Sequence, residues 1–417
     1  MNRAWRHVGG VVAAGMLAAA FQAPPEKFVP DPVQASDLTV RLDRVGAIPT
    51  KVNPTSPTVA GSSLLLIEQA GSIYLWNGAR ADTLLSKSNL PPGVKLEGYE
   101  PIINAAANKA GTIVYVMFIS STAPKDIPKR MSPHDESLAW YLLYAFDFDG
   151  TTLSHPRAIT AMQERVDGHS GGGMTVLPDD SVLFAAGDNG DSYEDGGDFS
   201  QNPVNHLAKL VRIDPATGQT KIVAVGVRAS QRLTIDTFDD DARLTFIDPG
   251  GWVSEELDSI RVADLLGDSP ANFGWGRSPR DGHSREGTFY IDRLGDSTAK
   301  APANEPGFMA PVAEVGREKS PVFALSGPVH STASFSRITF LFADLVGGAV
   351  YATTGPPATL HQPVLSVNLV DAQMQSVTLK GLANGARPDP RFFNFPDGTA
   401  GMLLERTGDF YRLTEVK

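Results

Sequence analysis

The sequence predicts an all-β protein built as a β-propeller. Short runs of alternating apolar and polar residues are broken by Gly, Asp and Pro, and pairs of such runs recur along most of the chain. Gly (40) and Pro (31) are abundant among the 417 residues, as the many tight turns of an all-β chain require. Almost no long segment carries helical periodicity, so helices are not expected to build the core.

Six hairpin groups follow one another. Ser63 to Ile67 and Ser72 to Trp76 are joined through Gln69-Ala70-Gly71. Thr112 to Ile119 pairs with Tyr141 to Phe148, which ends at Asp149-Gly150. Met174 to Leu177 and Val182 to Ala186 flank Pro178-Asp179-Asp180, and Leu233 to Thr237 and Leu244 to Ile247 flank Asp239-Asp240-Asp241. Ile338 to Ala343 and Ala349 to Thr353 surround Val346-Gly347-Gly348. Gly401 to Glu405 and Phe410 to Leu413 enclose Thr407-Gly408-Asp409. Radial repetition of such units hides most sheet edges, which favours a propeller. A pair of β-sandwiches is the competing architecture, but no internal linker separates two domains. Gly276 to Pro321, rich in Gly, Pro and charge, reads as a long loop over one propeller face.

Arg3 and Arg6 precede an apolar run, Val8 to Phe21, that is short for a membrane span. Residues 1–23 therefore read as a signal peptide, cleaved after Ala20 or Ala23. Pro-rich residues 24–37 read as a linker, and residues 38–417 as the propeller domain. The expected location is periplasmic or secreted, with no membrane association after cleavage. The net charge of −11 and the lack of a basic run argue against nucleic acid as a partner. With no cysteine, disulfides, thiolate metal sites and cysteine nucleophiles are excluded.

The densest chemical cluster begins at Gly168-His169-Ser170-Gly171-Gly172-Gly173. Glycines let backbone approach a ligand and leave the imidazole accessible, and histidine exchanges protons near neutral pH. Asp188, at the end of the next hairpin, is placed to orient that histidine. Glu194, Asp195 and Asp198 lie in a polar loop whose spacing does not match an EF-hand. Arg228, after Val225-Gly226-Val227, can clamp a carboxylate or quinone oxygen through its planar fork. Asp248-Pro249-Gly250-Gly251 and the following Glu255 and Glu256 offer hard oxygen ligands for calcium, or form a tight loop between strands. No nucleophile elbow, Walker A sequence or HExxH helix is present.

The order of these motifs resembles the soluble glucose/sorbosone dehydrogenase family. The shared pattern runs from His169–Gly172 through Gly187-Asp188, Lys209 to Pro215, Gly226-Val227-Arg228, Asp248 to Asp258, Asn272-Phe273-Gly274-Trp275 and Phe342-Ala343-Asp344 to Gly408–Leu413. The resemblance implies a six-bladed propeller that carries pyrroloquinoline quinone (PQQ) and calcium on its top face. It implies a dehydrogenase that oxidises a sugar or polyol hydroxyl, with an electron acceptor that no motif identifies. His169 would be the base and Asp188 its support. Arg228 and Lys209 would bind PQQ, together with late basic residues taken as Arg387 and Arg391, with Lys380 in the same region. Gly250, Gly251 and Glu255 would hold calcium. The chain departs from the family where Ala229-Ser230 replaces Asn-Pro, and where Leu96 to Ile102 replaces a Gly-Leu-Leu-Gly stretch. These departures support an alternative: a non-redox propeller with an eroded cofactor site that binds a carbohydrate or protein partner. A calcium-dependent lactonase on a similar propeller is a third reading, and the motif order does not favour it.

Overall fold

The computed structural model describes residues 28–48, 54–68, 70–78, 80–97, 101–131, 139–164, 169–189, 199–278, 282–291, 297–302, 305–317 and 324–416. The expected signal peptide, Gln69, Gly98 to Glu100, Gly168, and the acidic residues Glu194, Asp195 and Asp198 lie outside the described residues.

The chain folds as a six-bladed β-propeller, and each of the six sequence hairpins falls in a different blade. Blade 1 is Pro54–Ala60, Ser63–Glu68, Ser72–Trp76 and Ala81–Leu85. Blade 2 is Ile102–Ala107, Ile113–Ser120, Ala139–Phe148 and Leu153–Glu164, edged by Lys129–Arg130. Blade 3 is Gly171–Val176, Val182–Ala186, Lys209–Ile213 and Thr220–Val225, edged by Ala271–Asn272. Blade 4 is Leu233–Phe238, Asp241–Asp248, Ser254–Arg261 and Ala313–Gly316. Blade 5 is Leu325–Val329, Phe340–Asp344, Val350–Thr353 and Leu365–Ser366. Blade 6 begins at the axis with Pro390–Asn394, followed by Ala400–Leu404 and Asp409–Val416.

The ring closes through the first strand, which the hairpin pattern did not mark. Thr39–Ala47 runs antiparallel to Asp409–Val416, and its other edge pairs parallel with Asn368–Asp371. This first described strand is thus locked inside the last blade, which covers a sheet edge there. Residues 28–37, expected as part of a linker, are docked: Gln34 bridges Leu365 in parallel, and Ser36 donates from its hydroxyl to the Ser366 carbonyl.

The core lies between blades. One buried apolar cluster sits at each of the six interfaces, such as Met117, Leu143, Phe184 and Val211 between blades 2 and 3. A blade buried on both faces needs apolar residues on both, which explains nearly continuous runs such as Ile113–Ser120 and Phe340–Asp344.

Gly276 to Pro321 is not one long loop. Its described part forms a four-stranded sheet, Gly276–Arg277, Ser284–Glu286, Phe289–Ile291 and Ser297–Lys300, and then supplies Ala313–Gly316 to blade 4. Short strands broken by Gly and charge hid this from pattern reading. Arg285 anchors the sheet: it is buried, pairs with Glu305 at 2.7 Å and stacks over Phe308.

Candidate active site at the mouth of the axial cavity

The first strands of the six blades surround a cavity on the propeller axis. Its lining includes Pro57, Asn104, Gly171, Gln231, Leu325 and Arg391. Arg232 lines both this cavity and the cavity that adjoins it further along the axis.

His169 stands two residues before Gly171, at the mouth. Its φ of 50° lies in the left-handed region, followed by Gly171 at 70° and Gly172 at 105°. That backbone path is strained for a non-glycine residue and is held by neighbours from blade 2. Tyr141 donates to the Ser170 carbonyl at 2.7 Å, and Asn104 donates through Nδ2 to the Gly172 carbonyl at 2.8 Å. Gly187 must be glycine, because a Cβ there would come within 1.6 Å of the His169 carbonyl.

His169 Nδ1 lies 3.0 Å from Asp188 Oδ1. The Asp188 carboxylate is buried, while the imidazole side chain is 46 % exposed. This contact puts the ring proton on Nδ1 and leaves Nε2 as the acceptor. Arg228 reinforces the choice: one of its Nη2 protons faces Nε2 at 3.4 Å, and its Nε lies 3.7 Å from Asp188 Oδ2. The guanidinium packs over the Trp275 ring at 5.0 Å.

Arg228 is itself fixed from below. Its amide and that of Ala229 both donate to Asp248, at 2.8 and 3.1 Å. Burial, aided by nearby Asp188, raises the Asp248 carboxyl to about 7 although those two amides oppose the shift. The family pattern's Asn becomes Ala229, whose amide still serves here while its buried side chain offers no polar group.

The calcium ligands expected from the sequence do converge, but on an arginine. Arg317 donates from Nη1 to the Gly251 carbonyl at 2.8 Å and from Nη2 to the Gly250 carbonyl at 2.7 Å. It also pairs with Glu255 through Nε at 2.9 Å and through Nη2. Gly250 accepts a second guanidinium donor from Arg228 at 2.8 Å, and Pro249 accepts another at 3.2 Å. Burial lifts the Glu255 carboxyl to about 7, against the pull of Arg317. On the opposite side of this turn, the amides of Trp252, Val253 and Ser254 donate to Glu286 from the additional sheet. The turn is clamped by a carboxylate on its amides and guanidinium groups on its carbonyls. Among the described residues, no group of three or more His, Cys, Asp or Glu is arranged to hold a metal ion. The carbonyls of Gly250 and Gly251 and the Glu255 carboxylate are instead taken up by guanidinium donors, so with Arg317 in place they do not present a calcium site.

The other expected cofactor ligands separate. Lys209 is fully buried, and its ammonium donates to the carbonyls of Phe199, Ser200 and Leu207, which uses all three protons on the backbone. It holds a loop and does not face the cavity. Arg387 is tied to Asp389 at 2.6 Å and is absent from the cavity lining. Arg391 does line the cavity, with its guanidinium shared between Glu405 and Gln231. Pattern reading missed Arg232 and Arg317, which stand in no motif and are recognisable only by their neighbours. Arg232 and Arg391 line the cavity, Arg228 and Arg317 hold the turn beside it, and each of the four guanidinium groups has a carboxylate partner or neighbour in Asp236, Glu405, Asp188 and Glu255 respectively.

No family model matches the chain, and no curated protein matches it in sequence. Solved structures match its fold. A PQQ-bound aldose sugar dehydrogenase of Streptomyces coelicolor is 18% identical, with a TM-score of 0.59, covering 92% of this chain and 100% of that one. An oxidoreductase (glucose dehydrogenase) of Thermus thermophilus is 15% identical, with a TM-score of 0.56 and coverages of 90% and 99%. A Family AA12 carbohydrate-active enzyme of Trichoderma reesei is 11% identical, with a TM-score of 0.54 and coverages of 95% and 100%. The chain is similar to these proteins in fold, at identities that carry no activity with them.

Proposed function

We propose that this protein is a PQQ-dependent dehydrogenase that oxidises a hydroxyl of a sugar or polyol at the axial mouth. The observation that carries this reading is the His169–Asp188–Arg228 constellation, with a half-exposed imidazole whose Nε2 faces the Arg228 guanidinium. PQQ, when bound, supplies a quinone that takes up two electrons. Arg228 and Arg391 would hold its carboxylates, helped by the fixed charge of Arg317. Nε2 of His169 accepts the substrate hydroxyl proton, and Asp188 stabilises the imidazolium that results. The chain acts outside the cytoplasm in this reading, which rests on the signal peptide expected from Arg3, Arg6 and the apolar run Val8 to Phe21.

The test is dye reduction by the PQQ-reconstituted protein against a panel of aldoses and polyols, with PQQ binding followed by calorimetry. Substrate-dependent reduction that disappears in His169→Ala supports the reading. PQQ that fails to bind overturns it, and favours the non-redox binder of a carbohydrate or protein partner.

A further inference from the structure

The Gly250–Ser254 turn presents two adjacent carbonyls and a buried carboxylate to one point in space. Such a point demands positive charge. The chain meets that demand itself. Strand register brings Arg317 there: Ser254 pairs with Gly316, and the Arg317 amide donates to the Val253 carbonyl at 3.0 Å. The side chain then turns onto Gly250, Gly251 and Glu255 and stays 23 % exposed. The amide of Leu325, which lines the axial cavity, donates to the other Glu255 oxygen at 3.2 Å, so the pair borders that cavity.

We infer that Arg317 is the resident cation of the axial mouth, standing where a divalent metal would otherwise sit, so that an anionic cofactor or substrate group binds there without calcium. The chemistry favours this. Calcium takes six to eight oxygen ligands, waters among them, and the two carbonyls and one carboxylate that the turn could contribute are all taken up by the Arg317 guanidinium. Gly250 already accepts from both Arg228 and Arg317, so an ion there would have to displace two guanidinium groups and then face their like charge. A guanidinium has a fixed fork of donors matched to this arrangement and cannot lose its proton.

The inference concerning PQQ rests on the proposed function, but its first test does not. Calcium is titrated calorimetrically into the cofactor-free wild-type protein and into Arg317→Ala, Arg317→Gln and Arg317→Lys. Expected are one additional bound calcium per chain in the Ala and Gln variants, none in the Lys variant, and a calcium-dependent rise in melting temperature in the Ala and Gln variants alone. Equal calcium uptake by the wild type and both neutral variants overturns the inference.

The second test measures PQQ affinity with calcium and with chelator. The wild type is expected to change by less than about twofold, and Arg317→Gln to weaken by about 10- to 100-fold in chelator and recover with calcium. A wild type that needs calcium for PQQ overturns the inference. Absence of PQQ binding under every condition overturns the proposed function and leaves the calcium titration to decide the role of Arg317.

Discussion

Asp188 Oδ1 lies 3.0 Å from His169 Nδ1, and Asp188 is buried while His169 reaches solvent. One partner is locked in place and the other is presented. Replacing Asp188 by Asn removes the charge that stabilises an imidazolium. We expect Asp188→Asn to lower kcat by about 100-fold or more while PQQ affinity changes little. Steady-state kinetics together with calorimetry checks the split. A loss of cofactor binding as large as the loss of kcat would show that Asp188 shapes the pocket and does not support a base.

Gly187 gives a finer probe of the same pair. A Cβ at this position would meet the His169 carbonyl at 1.6 Å, and it would also crowd the Gly171 amide at 2.6 Å. Gly187→Ala must therefore move the histidine loop. The expected result is loss of activity with a far-UV spectrum like that of the wild type, because the strands that flank this loop are held by their own ladders. Full activity in this variant would place the base elsewhere.

Arg228 is expected to be irreplaceable by lysine. It spans Pro249, Gly250, His169 and Asp188 with one planar group. An ammonium cannot make the same set of contacts. Arg228→Lys should weaken binding of an anionic cofactor by about 10-fold or more, since charge-assisted hydrogen bonds contribute about 1.5–3 kcal/mol. Binding isotherms at two salt concentrations would separate lost geometry from lost charge, which Arg228→Lys preserves.

Stability should fall as pH rises from about 4 towards 7. Burial raises Asp248 to about 7, and it raises Asp236 to about 6 despite the nearby His330 and Arg232 and the Thr245 hydroxyl. A folded-state pKa above the unfolded one stabilises the fold below the unfolded value, near 4, and that contribution is lost as pH climbs through about 6 to 7. Glu415 has the opposite sign. Burial would raise it, but the amides of Arg337, Ser336 and Ile338 and the Arg337 guanidinium bring it down to about 2. Its contribution is present above the unfolded value and is lost as the pH falls towards 2. Urea midpoints measured from pH 3 to 9 should pass through a maximum on the acid side of neutrality, and Asp248→Asn should flatten the fall between about pH 4 and 7.

Ring closure predicts where the fold is most sensitive. Leu42, buried in the closing strand, packs in the cluster between blades 5 and 6. Leu42→Ala should cost about 2–5 kcal/mol through lost burial and the cavity left behind. Thermal melts would show a drop of several degrees. A drop no larger than that from an exposed substitution such as Val45→Ala would mean that the first strand is dispensable for closure.

Local pattern was enough for the hairpins, their number and the order of His169, Asp188 and Arg228. Period-2 alternation and turn residues act between near neighbours, so each of the six marked hairpins reappears in its own blade. The additional sheet from Gly276 to Lys300 was not legible, because its strands are too short and polar to alternate visibly. The closing strand was not legible either, since its partner lies at the other end of the chain and a single run carries no sign of what it pairs with. What each polar group faces came from long-range contacts instead. Lys209 turned inward to three carbonyls, Arg387 took Asp389, and Arg317 reached Gly251 from 66 residues away. A short motif displays the carbonyls of Gly250 and Gly251, but which cation meets them depends on strand register across blade 4. Burial then sets the cost of leaving such groups unpaired, and so which partner they take.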